Sequence, residues 1–228
     1  MNVLAIETSS AALCIGLKIQ DEVFEHFDVI GRRHNDEVLP EIDELLRTHG
    51  LSTGNIDLLV YGRGPGSFTG VRIAVGIAQG LGFGWQIPTV GISSLAILAQ
   101  TVSRQQQSAH ILTALQAREA EVYWGRYELV SGIVEPAEIE RVVDVKDLAP
   151  LEASGPWIGV GSGWQHRELI EESLNISVED VVLDIYPRAE DLMVLGCAAY
   201  ERGEAITAEN AQPVYLREQV AQKPRQVK

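Results

Sequence analysis

Two short stretches concentrate the groups of this chain that could do chemistry: Glu7-Thr8-Ser9-Ser10 and Gly64-Pro-Gly66-Ser67-Phe-Thr69-Gly70. The first sets a carboxylate and a row of hydroxyls at the end of an apolar run. An acid there could hold a hydrated Mg2+ while the small residues let phosphates approach. The plainer alternative is a strand end whose hydroxyls bond the turn. The second stretch lies in a run, Tyr61 to Arg72, with glycines at 62, 64, 66 and 70. A strand ending in a glycine-rich turn at a helix start gathers bare N–H groups, which suit an anion or a closely approaching backbone. The run is not a phosphate loop of the GxxxxGK[ST] kind, because the lysine is missing, and it does not have GxGxxG spacing. Ser67 would need a base and an orienting acid to act as a nucleophile. The histidines at 26, 34, 49, 110 and 166 form no recognised pattern with it.

Gly76, Gly80 and Gly84 follow at i, i+4 and i+8. Each helical glycine costs roughly 1 kcal/mol against alanine. On one face they make a groove for close helix approach, inside the lobe or at a subunit interface. Arg33-His34-Asn-Asp36-Glu37 offers one histidine and two acids at a helix start. That composition suits a solvated first turn, and a metal site would need further ligands.

The elements that must position these groups follow from periodicity and punctuation. Strands are expected at Val3–Ile6, Ala12–Ile19 and Val23–Ile30, the last two joined as a hairpin. An amphipathic helix is expected over His34–His49, with Pro40 in or near its first turn or kinking it. Then come a strand over Ile56–Val60, the glycine loop, a buried helix to Trp85, a strand over Pro88–Ile92 and a helix over Ser93–Gln107. Ser93 or Ser94 is its expected cap. The order then restarts, with strands at Ile111–Leu115, Val122–Val130 and Ile158–Val160 and a last helix at Ala189–Arg202. This is an α/β chain of two lobes, expected to divide at residues 1–104 and 105–228.

A chain of 228 residues with 46% hydrophobic and 22% charged residues is an ordinary soluble globule. The net charge of −14 argues against a broad nucleic-acid face. Glu168 to Asp191 holds eight acids against Arg188 alone, while Arg217, Lys223, Arg225 and Lys228 outweigh Glu218 in the tail. That tail reads as a solvated terminus, with a contact to nucleic acid or an acidic partner as the alternative. Cys14 and Cys197 read as small buried hydrophobes. The N-terminus reads as a strand with no basic leader, and no stretch is long enough to span a bilayer. Together these point to the cytoplasm and to no membrane.

Nearly end to end, the chain resembles the bacterial TsaB (YeaZ) family of tRNA threonylcarbamoyladenosine biosynthesis. The resemblance rests on Leu4-Ala-Ile-Glu-Thr-Ser-Ser10, Arg33-His34 through Leu39-Pro40, and Tyr61 to Ile73. It continues through Ala117-Arg118, Glu121-Val-Tyr-Trp124, Val160-Gly-Ser-Gly-Trp164, Ala189-Glu-Asp191 and Pro213-Val-Tyr-Leu-Arg217. It implies an actin/Hsp70-like (ASKHA, ribonuclease H-like) fold and descent shared with TsaD, the threonylcarbamoyl transferase subunit. TsaD relatives carry a metal-binding HxxxH after the strand corresponding to Pro88–Ile92. Here Ile92-Ser-Ser-Leu-Ala-Ile-Leu98 holds neither histidine. The family pattern has Asp where this chain has Glu7 and Gln116.

The resemblance therefore implies a non-catalytic subunit without a metal of its own and with no nucleotide bound autonomously, ATP or ADP binding at most weakly or at a partner interface. It would pair with TsaD through the helix at 34–49 and the glycine face, using His34, Glu37, Gly76, Gly80 and Gly84. TsaE, an ATPase, would join the pair, tRNA would be held mainly by other subunits, and the chain alone would form homodimers. Glu7, Thr8, Ser9, Ser10, Gly64, Gly66, Ser67, Thr69 and Gly70 would be vestigial phosphate loops. The rival readings are a free-standing ATPase or kinase of the same fold and a metallopeptidase.

Overall fold

The computed structural model describes residues 1–152 and 155–216. The basic tail and Arg217 lie outside them. Val3–Glu7 (β1), Ala12–Ile19 (β2) and Glu22–Val29 (β3) lead into a helix, His34–Thr48 (α1). Leu58–Gly62 (β4), Phe68–Trp85 (α2), Thr89–Ile92 (β5) and Ser94–Gln106 (α3) follow. These strands form a sheet in the order β3-β2-β1-β4-β5, with β1, β4 and β5 parallel and the β1–β2–β3 meander antiparallel.

The second half repeats this plan. His110–Arg118 (β6), Glu121–Val130 (β7), Ile133–Pro136 (β8), Arg141–Asp144 (β9), Trp157–Val160 (β10) and Asp180–Val182 (β11) build the other sheet. Its order is β11-β10-β6-β7-β8, and β9 also pairs with β7. The centre strand again has an antiparallel neighbour on one side and parallel neighbours on the other. One outer strand of the first sheet is thus replaced by two short ones, which share β7 end to end. Ser131 and Gly132, both at positive φ, turn β7 into β8 in two residues, as a tight hairpin requires.

Burial explains the layers. Every residue of β1 and β4 is buried, because helices cover both faces of the first sheet. Val38, Ile42 and Leu46 of α1 and Val71, Ala74 and Ala78 of α2 pack on one face. The other face is covered by Leu192 and Leu195 of the last helix, Ala189–Glu201 (α5). Leu95, Leu98 and Val102 of α3 share that same core with Ile111, Tyr127 and Val160 of the second sheet. The far face of the second sheet is closed by Arg167–Leu174 (α4) and the tryptophans 124, 157 and 164. The helix at the end of each half thus serves the other half's sheet or the junction. The expected division at 104/105 falls inside the last turn of α3.

Pro40 sits beyond the first turn, inside a continuous α1. The strand expected at Ile56–Val60 runs instead over Leu58–Gly62, because Thr53–Asn55 form a 3-10 turn first. Pairing with both β1 and β5 then carries the strand through Tyr61 and beyond.

Candidate functional site

The two glycine- and hydroxyl-rich stretches meet at the ends of β1 and β4, where the strand order reverses. This is the place where open α/β sheets take their ligands. Here the loops are engaged with each other. Ser67 N donates to Ser9 O at 2.7 Å, and Thr8 Oγ1 donates to Gly70 O at 2.7 Å. A Cβ on Gly66 would lie 2.4 Å from Ser9 O, and one on Gly70 would lie 1.9 Å from Thr8 O. Glycine is required at both positions so that one backbone can lie on another. Ser67 Oγ accepts from Gly70 N at 3.3 Å and caps α2, so the hydroxyl weighed as a nucleophile is a helix cap. Gly64, at φ +91°, makes the turn, and its carbonyl accepts from Ser94 N at 3.0 Å. Thr69 is exposed.

Glu7 is 1% exposed. Its Oε1 accepts from Ser9 N and its Oε2 from Ser94 Oγ at 3.4 Å. Burial pushes its carboxyl above the ordinary range, against the pull of its Ser9 and Ser94 hydrogen bonds. The carboxylate weighed as a ligand for hydrated Mg2+ is therefore folded inward, between β1, β4 and the start of α3. Ser10 Oγ accepts from Ala12 N at 3.1 Å.

Between the lobes lies a cavity of about 290 Å3 lined by Ser9, Ser10, Ser67, Gln116, Ser162 and Asp184. The segment Leu183–Pro187 forms part of its wall, and among the described residues no lysine or arginine lines it. Gln116 N donates to Ser162 Oγ at 3.1 Å, and Gln116 Oε1 accepts from Gln165 Nε2 at 2.7 Å. The position therefore has no charge and is held within its own lobe. A polyphosphate here would find its charge opposed by Asp184 and, among the described residues, unmatched by any lysine or arginine. Among the described residues no group of three or more His, Cys, Asp and Glu could hold a metal ion.

The glycine face of α2 is a different environment. Gly76, Gly80 and Gly84 are exposed, and a Cβ on any of them would meet nothing within 4 Å. Nothing in the described chain uses their smallness. Gly82 on the same helix is the contrast, since its Cβ would strike Thr89 and Ala208. Beside Gly76 runs a groove of about 490 Å3 between α1 and α2, lined by Leu39, Phe68, Thr69, Arg72 and Ile73. Leu39 and Phe68 are about half exposed. The Arg72 guanidinium lies 3.7 Å from the Phe68 ring centroid, and its Nε donates to Tyr215 Oη at 2.8 Å. This Phe68–Arg72–Tyr215 stack, which pins the C-terminal segment to α2, had no signal in residue spacing because Tyr215 is remote in the chain.

His34 does not join this face. It is 3% exposed, and its Nε2 lies 3.1 Å from Ala12 O. At the first position of α1 its ring is turned onto β2, which corrects its expected place at the interface. Glu37 is partly exposed and pairs with Arg33 one turn away at 2.6 Å.

Two sheets of the same strand order, joined through crossed helices, define the two-lobed actin/Hsp70-like class. The family model described as TsaD, tRNA N6-adenosine threonylcarbamoyltransferase, matches residues 28–224. The chain is 38% identical to the tRNA threonylcarbamoyladenosine biosynthesis protein TsaB of Escherichia coli K12, over 98% of this chain and 97% of that one. It is 29% identical to TsaB of Bacillus subtilis 168, over 95% and 94%. The solved structure of YeaZ from Pseudomonas aeruginosa superposes with a TM-score of 0.87 at 39% identity, covering 94% of this chain and 99% of that one. The chain belongs to the TsaB (YeaZ) family.

Proposed function

We propose that this protein serves tRNA threonylcarbamoyladenosine biosynthesis as a non-catalytic subunit that binds and activates TsaD for threonylcarbamoyl transfer to the adenosine next to the anticodon. The observation that carries this reading is the exposed glycine face of α2. Three glycines weaken an exposed helix, by roughly 1 kcal/mol each, without any packing return among the described residues. A partner helix seated on that face would recover the loss. The adjoining groove, with Leu39 and Phe68 at its rim, supplies the apolar contact.

The interlobe cleft supports the non-catalytic part. Its phosphate-loop residues bond one another, and its carboxylate is buried. ATP or ADP would then bind weakly, or where a partner completes the site. TsaE would act at or near the pair, and tRNA would be held mainly by the other subunits. Without TsaD the same face would pair two copies of the chain. No described helix is long and apolar enough to cross a membrane, and the reading places the protein in the cytoplasm, with tRNA.

Reconstitution tests the role. TsaD, TsaE, tRNA and threonylcarbamoyl-AMP are incubated with and without this chain, and the modified nucleoside is measured by mass spectrometry. Modification should depend on the chain, and equal yields would refute the role.

A further inference from the structure

A second cavity between the lobes, also of about 290 Å3, shares no lining residue with the serine-lined cleft. Arg63 and Ser93 line it from the first lobe, and Tyr127 and Glu140 from the second. Its floor is polar and buried: Tyr127 is 1% exposed and Ser93 is 5% exposed. Tyr127 Oη donates to Glu140 Oε1. Ser93 caps α3, accepting from Leu95 N at 3.2 Å, and Ala96 in the first turn of that helix lines the cavity as well.

The cations differ in their commitments. Arg202 is paired with Glu204 at 2.6 Å and with Glu135 at 3.7 Å. Arg63 is held only by its backbone, through Ile92 O and Val214 N, each at 2.9 Å. Among the described residues its guanidinium has no hydrogen bond or ion pair. An exposed, unpaired arginine beside a helix N-terminus suits a carboxylate, which its planar fork binds with two parallel hydrogen bonds. The helix start adds partial positive charge in the same place. Glu140 has a second oxygen and spare acceptor capacity, which suits a cation on the same ligand. The volume is near the lower end of small-molecule sites, roughly 300–1,000 Å3.

We propose that this cavity binds a free α-amino acid, its carboxylate on Arg63 and its ammonium group toward Glu140. The ligand would touch both lobes and stabilise their relative placement in proportion to its occupancy.

Calorimetric titration and thermal melting of the full chain test this, with L-threonine, glycine and acetate as separate probes. L-threonine or glycine should bind saturably and raise the melting temperature, and acetate should bind much more weakly. Arg63→Gln and Glu140→Gln should each weaken amino-acid binding about tenfold or more. Arg118→Gln, an exposed arginine outside the cavity, should leave it unchanged. The proposal is overturned by absence of saturable binding at millimolar probe, by equal affinity in Arg63→Gln, or by acetate binding as tightly as glycine.

Discussion

Glu7 and Gly62 are in a contact that only glycine permits. A Cβ on residue 62 would lie 1.7 Å from Glu7 Oε2 and 2.6 Å from its Cδ. The parallel register of β1 and β4, with Ile6 beside Tyr61, brings the two residues alongside. The carboxylate therefore lies across the end of β4 and reaches Ser94.

Gly62→Ala should cost roughly 1–3 kcal/mol, the range for overpacking a filled interior. Glu7→Asp withdraws the carboxylate by one methylene, so the double variant should recover part of that loss. Urea denaturation of the two single variants and the double variant measures the coupling. Strict additivity would show that the two side chains do not compete for the same space.

Glu7 also sets a pH dependence. Its carboxyl is raised above 4.5 in the folded chain, chiefly by burial. The folded state therefore holds the proton to higher pH than the unfolded state does. That contribution to stability is complete below the unfolded value and is lost as pH rises through the folded value. Glu7→Gln removes the titration. The difference in stability between Glu7→Gln and the parent should then shift in the variant's favour as pH rises from 4.5 to neutrality. A gap between the two chains that stays constant with pH would contradict this.

Much of the fold was legible because the strongest signals were local. Ala12–Ile19 is read to the residue, and Ser93 caps α3 as its hydroxyl before an apolar run suggests. The elements that were not legible are those made by tertiary contact. β8 and β9 are four residues each and share one neighbour, and β11 is three residues that include Asp180. The acidic segment holds α4, whose core side is only Ile170 and Leu174. At the site, residue types singled out each of the two loops, and their meeting follows from the pairing of β1 with β4. Residue types did not foretell that Glu7 turns inward, since that depends on the space Gly62 leaves across a strand boundary. His34 likewise looked like a surface residue of a helix start, and its burial depends on where β2 lies.

The glycine face should show opposite responses in two assays. Gly80→Ala adds a methyl to an exposed helix position where nothing lies within 4 Å. It should stabilise the isolated fold by about 0.5–1 kcal/mol. Gly80→Leu should fold as well and pair poorly with TsaD, because its side chain fills the groove. Denaturation and a pull-down or calorimetric titration read the two effects separately. Unchanged pairing by a folded Gly80→Leu would remove this face from the interface.

Arg104 and Asp191 tie α3 to α5 through two hydrogen bonds of 2.9 Å, Nε to Oδ1 and Nη2 to Oδ2. The partners are unequal, for the Asp191 side chain is fully buried and that of Arg104 is 39% exposed. Removing the arginine strands a buried carboxylate; removing the aspartate leaves a guanidinium that water can reach and that still has Glu190 at 3.3 Å. Arg104→Ala should therefore cost more than Asp191→Ala, approaching the roughly 3–5 kcal/mol of a broken buried pair. The same argument gives a rescue. Asp191→Asn in the Arg104→Ala background removes the stranded charge and should restore stability. A double variant no more stable than Arg104→Ala would show that the uncompensated charge is not the source of the loss.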